Sequence, residues 1–177
     1  MSSSKRERFL RELLPHLNSL YSFARWLTHD PDEAEDVVHD ALSRALLNWR
    51  GYSPGTEIKT YLFTIIRRTY INRVRRGQYE VTSAGYPEDD GNLPQEREEG
   101  GLADLPPELL RKDLNEALAS LDVEQRSAVL LADVEGFSLE EIAEIMGIPI
   151  GTVKSRLWRA RAALRKKLKD YREHVIK

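Results

Sequence analysis

The stretch Ser138-Leu-Glu-Glu-Ile-Ala-Glu-Ile-Met-Gly-Ile-Pro-Ile-Gly-Thr-Val-Lys-Ser-Arg-Leu-Trp-Arg-Ala-Arg161 decides how this chain is read. Ser138 and Glu141 stand at the S-x-x-E spacing of a capping box, in which a hydroxyl and a carboxylate satisfy amides left open at a helix start. Leu139, Ile142, Ala143 and Met146 then fall at helical spacing. Gly147 follows where a positive φ ends a helix, and Pro149 forbids simple continuation. Ala143 is small enough for the next helix to cross closely, and Val153 stands where that helix returns to a shared core. The spacing predicts a helix-turn-helix.

On the second helix Val153, Leu157, Ala160, Leu164 and Leu168 recur at intervals of three and four, which makes one buried stripe. Lys154, Ser155, Trp158 and Arg159 point largely away from it. Lysine and arginine bind phosphates and guanine edges, and an indole packs on a sugar or a thymine methyl. The cations Arg156, Arg159, Arg161, Arg165, Lys166, Lys167 and Lys169 follow one another with no acid among them. A tryptophan set among cations distinguishes this face from a merely solvated basic surface. The pattern is that of a DNA-reading helix.

Composition bounds the rest. With 177 residues, 41% hydrophobic and 32% charged, the chain is long enough for one or two small cores. Its net charge of −2 gives no sign of nucleic acid, so the signal lies in how charge is segregated along the chain. There is no cysteine, which excludes disulfides, a cysteine nucleophile and thiolate metal ligands. No apolar run approaches a membrane span and the amino end lacks a signal-peptide core, so no membrane insertion and a cytoplasmic location are expected.

Outward from the opening stretch, the pattern is helical throughout. Lys5 to Thr28 suits one helix with Phe9, Leu10, Leu13, Leu14, Leu17, Leu20, Tyr21 and Ala24 inward and Pro15 as a kink. Asp30-Pro31-Asp32-Glu33 starts a second, running to about Trp49, and Arg50 to Gly55 is a loop. A third helix from about Thr56 to Arg76 interleaves Tyr61, Phe63 and Tyr70 with Lys59, Arg67, Arg68, Arg73, Arg75 and Arg76. Rings that stack on unpaired bases beside cations that hold a backbone suit single-stranded nucleic acid, although most of these aromatics are expected in the core. Beyond it, glycine, proline and acids replace apolar periodicity, which marks a flexible acidic linker. The predicted fold is all-α: a domain over 1–77, a linker over 78–107 and a four-helix domain over 108–177. Asp122 caps a helix within the second domain.

These residues carry a family resemblance. Leu121-Asp-Val-Glu-Gln-Arg-Ser-Ala-Val-Leu-Leu131, Glu135-Gly-Phe-Ser-Leu-Glu-Glu-Ile-Ala143 and the turn with its second helix resemble the fourth domain of bacterial sigma-70 factors of the extracytoplasmic-function (ECF) type. Asp32-Glu-Ala-Glu-Asp-Val-Val-His-Asp-Ala-Leu-Ser-Arg-Ala-Leu46 and Tyr61-Leu-Phe-Thr-Ile-Ile-Arg-Arg68 resemble the second domain, in the family's order and spacing.

The resemblance implies a promoter-specificity subunit that binds core RNA polymerase and promoter DNA and is held by an anti-sigma factor. It makes no bond itself, so no catalytic residue, cofactor or metal is expected. It places Lys154, Ser155, Trp158 and Arg159 on the upstream (minus 35) element, with Thr152 and Arg156 as phosphate or packing partners. The Gly51 to Thr56 loop with Tyr52 and Ser53, and then Tyr61, Arg67 and Arg68, face the downstream (minus 10) element, where a base is flipped out and read. Glu35, Asp36, His39, Asp40 and Arg44 form the polymerase docking face.

Relatives usually have tryptophan at Tyr61 and often asparagine at Arg68, which puts downstream base preference in question; His39 stands where glutamine is common. Asp36-x-x-His39, beside Glu35, has metal-ligand spacing but no matching ligands on another helix, since His16 and His29 lie in segments without such a pattern. Two other readings remain: a stand-alone helix-turn-helix regulator, against which the first domain argues, and a sigma mimic that titrates an anti-sigma factor, against which the intact second helix argues.

Overall fold

The computed structural model describes residues 2–49, 57–79 and 111–175, and every regular element among them is helical. The chain divides into two compact units, Met1–Tyr86 and Pro87–Lys177.

In the first unit α1 (Ser2–Leu13) and α2 (Leu17–Thr28) are joined by a 3-10 turn at Leu14–His16 that carries Pro15. The expected single helix is therefore broken where proline removes an amide donor, and the break changes the phase of the buried face, so that Leu14 and Tyr21, expected inward, are exposed. His29 ends α2 in the left-handed region at φ 57°, its N–H donating to the Arg25 carbonyl. Asp30 then caps α3 (Pro31–Leu47), its carboxylate accepting from the Glu33 amide at 2.9 Å. α3 buries only small residues and one valine: Ala34, Val37, Ala41 and Ala45. That slim face lets α2 and α4 (Ile58–Tyr79) both pack against it. Phe23 and Phe63 meet at 5.1 Å in the core they enclose with Phe9, Leu20, Leu27, Leu62 and Ile66. α4 runs to Tyr79, past the predicted end at Arg76.

In the second unit α5 (Arg111–Ala119) leads to Asp122, whose carboxylate accepts from the Glu124 and Gln125 amides and starts α6 (Val123–Val129). α6 widens into a π-helical turn at Leu130–Val134, and Gly136 at φ 72° leads on to α7 (Leu139–Met146). The capping box forms as predicted: the Glu141 amide donates to Ser138 Oγ at 3.2 Å and the Ser138 amide to Glu141 Oε2 at 2.7 Å. Gly147 is left-handed at φ 67°, and the Gly147 and Ile148 amides close the helix end on the Glu144 and Ala143 carbonyls.

The last helix, α8 (Ile150–Val175), packs on α5, α6 and α7. All five residues of its predicted stripe, Val153, Leu157, Ala160, Leu164 and Leu168, are buried. On α7 the buried set is Ile142, Ile145 and Met146, with Leu139 and Ala143 half-buried. Ile145 joins the core because α7 is flanked by both α8 and the π-helical turn, a wider contact than a single stripe. Most of the predicted linker 78–107 and the start of the second domain lie outside the described residues.

Candidate nucleic-acid interface

α8 is presented by a short, over-determined turn. The capping box fixes where α7 begins, Gly147 fixes where it ends, and the Thr152 and Val153 amides donate to the Pro149 carbonyl at 3.0 and 3.1 Å to start α8. Lys154 is exposed on the helix surface, and Thr152, Trp158 and Arg159 are half-exposed. Of the residues picked from the sequence, Trp158 and Arg159 thus lie on the outward side of the helix, roughly opposite the stripe, and Lys154 stands exposed on its flank.

Two others sit differently. Ser155 is only 3% exposed, and its hydroxyl donates to the Thr152 carbonyl at 3.0 Å. Its short side chain is turned back on its own helix and withdrawn from solvent, although its position counted along the helix faces outward. Arg156 donates from Nη1 to Glu124 Oε2 at 2.6 Å, which makes it a packing residue, one of the two roles the sequence left open for it. Arg161 makes a two-point contact with Asp133, Nη2 to Oδ1 at 2.7 Å and Nε to Oδ2 at 3.2 Å. Neither acid is visible as a partner from periodicity, because each lies about thirty residues away.

In the first unit Tyr61 is half-exposed and lies edge-on to Phe9. Burial raises its phenol pKa above the ordinary 10.0, so the ring is neutral across the working range. Arg68 is exposed, whereas Arg67 is 6% exposed, which corrects the expectation that both point outward. Successive helical positions differ by about 100°, so when one of two neighbours lies on the rim the other turns toward the helix packing. Lys59 lies 5.7 Å over the Phe63 ring. Tyr52 and Ser53 lie outside the described residues.

On α3 the side chains of Glu35, Asp36, His39, Asp40 and Arg44 are all exposed, along the half of the helix opposite Ala34, Val37, Ala41 and Ala45. Sequence reading missed Arg73 on α4, whose guanidinium reaches Asp40 at 3.0 Å and Asp36 at 3.5 Å. The two carboxylates are one helical turn apart, so one planar group meets both. Among the described residues no helix is long and apolar enough to cross a membrane, and no group of three or more histidines and acids is placed to hold a metal ion.

Comparison with known proteins places these surfaces in a family. The model for sigma-70 region 2 matches residues 13–79, and that for sigma-70 region 4 matches residues 111–164. The chain is 36% identical over 155 residues to the ECF RNA polymerase sigma factor EcfG of Rhodopseudomonas palustris, covering 86% of this chain and 81% of that one. It is 35% identical over 156 residues to the ECF RNA polymerase sigma factor SigE of Mycolicibacterium smegmatis, covering 85% of this chain and 57% of the relative. Among solved structures, the sigma factor RpoE of Bartonella quintana, in complex with the anti-sigma factor NepR, aligns with a TM-score of 0.74 at 35% identity, over 92% of this chain and 98% of that one. With both sigma-70 regions in order on one chain, and relatives of this similarity over most of its length, the protein belongs to the ECF RNA polymerase sigma factors.

Proposed function

We propose that the protein binds core RNA polymerase and directs it to promoters through two DNA elements, one for each unit. The observation that carries this reading is the outer surface of α8, where Lys154, Trp158 and Arg159 stand clear of a fully buried stripe on a helix held by a capped, tight turn. Such a helix fits the major groove, where cations meet phosphates and guanine edges and an indole meets sugar or thymine methyl. Lys154, Trp158 and Arg159 contact the upstream element, with Thr152 beside them. Ser155 joins only when its side chain turns outward, and Arg156 supports the helix from α6.

The downstream element falls to Tyr61 and Arg68, with Tyr52 and Ser53 in the preceding loop, and Arg67 acts from beneath that surface. The exposed row Glu35, Asp36, His39, Asp40 and Arg44 docks the polymerase. In this reading residues 1–77 and 108–177 are the working domains and 78–107 joins them. A region 2 on the same chain supports this assignment over that of a stand-alone regulator. Similarity to a sigma factor solved with its anti-sigma factor supports control of this chain by such a partner, and in this reading the chain acts in the cytoplasm, where the polymerase is. Bond formation belongs to the polymerase, and the chain contributes binding energy and strand separation.

The test is binding of the full-length chain to bacterial core polymerase, followed by run-off transcription from a pool of random promoter sequences. Binding with selective transcripts is the expected result and yields the promoter motif. Binding without transcripts would point to a mimic, and absence of binding to a regulator that acts alone.

A further inference from the structure

The two ion pairs on α8 occupy a particular place. Counting about 100° per residue, the buried stripe of Val153, Leu157, Ala160 and Leu164 marks one side of the helix and Trp158 and Arg159 the other, with the exposed Lys154 on the flank beside Arg161. Arg156 and Arg161 fall between the two, one on each flank. Each is turned toward the body of the unit by an acid from another element: Arg156 by Glu124 at the start of α6, Arg161 by Asp133 in the π-helical turn. All four groups are largely withdrawn from solvent, with side-chain exposures of 19% and 23% in the first pair and 21% and 5% in the second. For a helix lying in the major groove, the two flanks are the sides that pass the bordering phosphate strands.

We infer that Glu124 and Asp133 are specificity-determining residues: by holding Arg156 and Arg161 against α6 and the π-helical turn, they withhold two flanking cations from the DNA backbone and fix the rotation of α8. Phosphate contacts add affinity for every sequence alike, whereas base contacts separate one sequence from another. Withholding two potential phosphate contacts lowers binding to all DNA by the same factor and by itself leaves discrimination unchanged. Discrimination comes from the second effect of the same pairs: gripping α8 on both sides of its stripe, they fix its rotation about its axis and so the angle at which Trp158 and Arg159 meet the base edges. This inference rests on the proposed role of α8 in reading the upstream element.

The test compares holoenzymes reconstituted from core polymerase and the full-length wild-type, Glu124→Ala, Asp133→Asn, Glu144→Gln or Arg159→Ala chain. Each is titrated against the selected promoter duplex and against the same duplex with a scrambled upstream element, between about 50 and 200 mM salt. Glu144 is an exposed acid on α7 and controls for loss of one negative charge. Glu124→Ala and Asp133→Asn are expected to bind the scrambled duplex several-fold more tightly, with a salt slope steeper by about one for each released arginine. Their discrimination between the two duplexes is expected to fall several-fold, while Glu144→Gln changes the slope much less.

Unchanged slopes and discrimination, weaker binding to both duplexes alike, or an equal effect in Glu144→Gln would overturn the inference. If Asp133→Asn does not fold, Glu124→Ala decides alone, since that pair is the more exposed partner on the acid side. A loss of discrimination in Arg159→Ala beside a silent Glu124→Ala removes the withholding role and leaves the reading of α8 intact. A wild-type holoenzyme indifferent to the upstream element overturns both.

Discussion

Phe9 on α1 meets Tyr61 on α4 edge-on, with ring centroids 6.4 Å apart and planes at 75°. Phe9 is 2% exposed and Tyr61 half-exposed, so the phenylalanine holds one edge of a ring that reaches the surface. A neutral phenol ring held in this way is preorganised to stack on an unpaired base without first losing its rotamer freedom. Tyr61→Ala is expected to reduce promoter opening, by about 1 to 3 kcal/mol for one lost stacking contact. Tyr61→Phe should retain most of it. Permanganate reactivity of thymines in the downstream element measures this, and full opening by Tyr61→Ala would remove Tyr61 from the site.

Arg73 bridges Asp36 and Asp40 on the exposed side of α3. Because all three side chains are at least one-third exposed, the bridge is a surface pair worth at most about 1 kcal/mol of stability. Asp40→Ala should therefore leave the melting temperature nearly unchanged while weakening association with core polymerase several-fold. Fluorescence titration with core enzyme separates the two effects. Equal core affinity in Asp36→Ala and Asp40→Ala chains would move the docking face away from α3.

The turn before α8 should be intolerant of small changes. Gly147 adopts φ 67°, where a Cβ is strained even though nothing crowds it within 4 Å. Gly147→Ala is expected to cost about 1 to 2 kcal/mol through backbone strain alone. Ser138→Ala removes an acceptor from the capping box and should cost about 1 kcal/mol. Urea melts read by circular dichroism check both, and a silent Gly147→Ala would mean that the turn relaxes to another geometry.

Much of this was legible in sequence because it follows from local rules. The stripe of α8 is a single helical period, and Ser138, Glu141 and Gly147 announce the ends of α7 by chemistry that operates within a few residues. What was not legible depends on chain segments far apart in sequence. Glu124 and Asp133 become partners of Arg156 and Arg161 only when α6 and the π-helical turn pack against α8, and that turn itself has no sequence signature. Arg67 and Arg68 are neighbours of one residue type, yet the two positions divide between interior and rim, a division that depends on which side of α4 the other helices cover. Arg73, at the far end of a long helix from Tyr61, became part of the α3 surface for the same reason.

His16 lies in the 3-10 turn after α1, where burial lowers its pKa from the ordinary 6.5, with the charge of Lys59 adding to the effect and Glu57 opposing it. The folded state therefore prefers the neutral imidazole. On acidification the unfolded chain takes up its proton first, so the stability contributed by neutral His16 is present above pH 6.5 and is lost as pH falls through the folded value. Thermal melts at about pH 7.5 and 5.5 should show a smaller acid-side loss for His16→Asn than for the wild type. Identical losses would show that this histidine is equally protonated in both states.

Lys154 and Arg159 distinguish the two ways a helix can bind a groove. Lys154 is exposed and carries a compact charge on a flexible stem, whereas the guanidinium of Arg159 is half-exposed and planar, with the geometry for two parallel hydrogen bonds to a guanine edge. Lys154→Ala should weaken binding to all upstream sequences alike and lower the salt slope by about one. Arg159→Ala should instead cost about 1 to 3 kcal/mol on the cognate element and relax discrimination at one base pair. Titrations of holoenzyme against a set of single-base upstream variants, each at several salt concentrations, resolve the two. Normal transcription by both variants from the cognate promoter would remove α8 as the reading element, because no other described helix of its unit carries a comparable exposed array of cations and indole beside a tight turn.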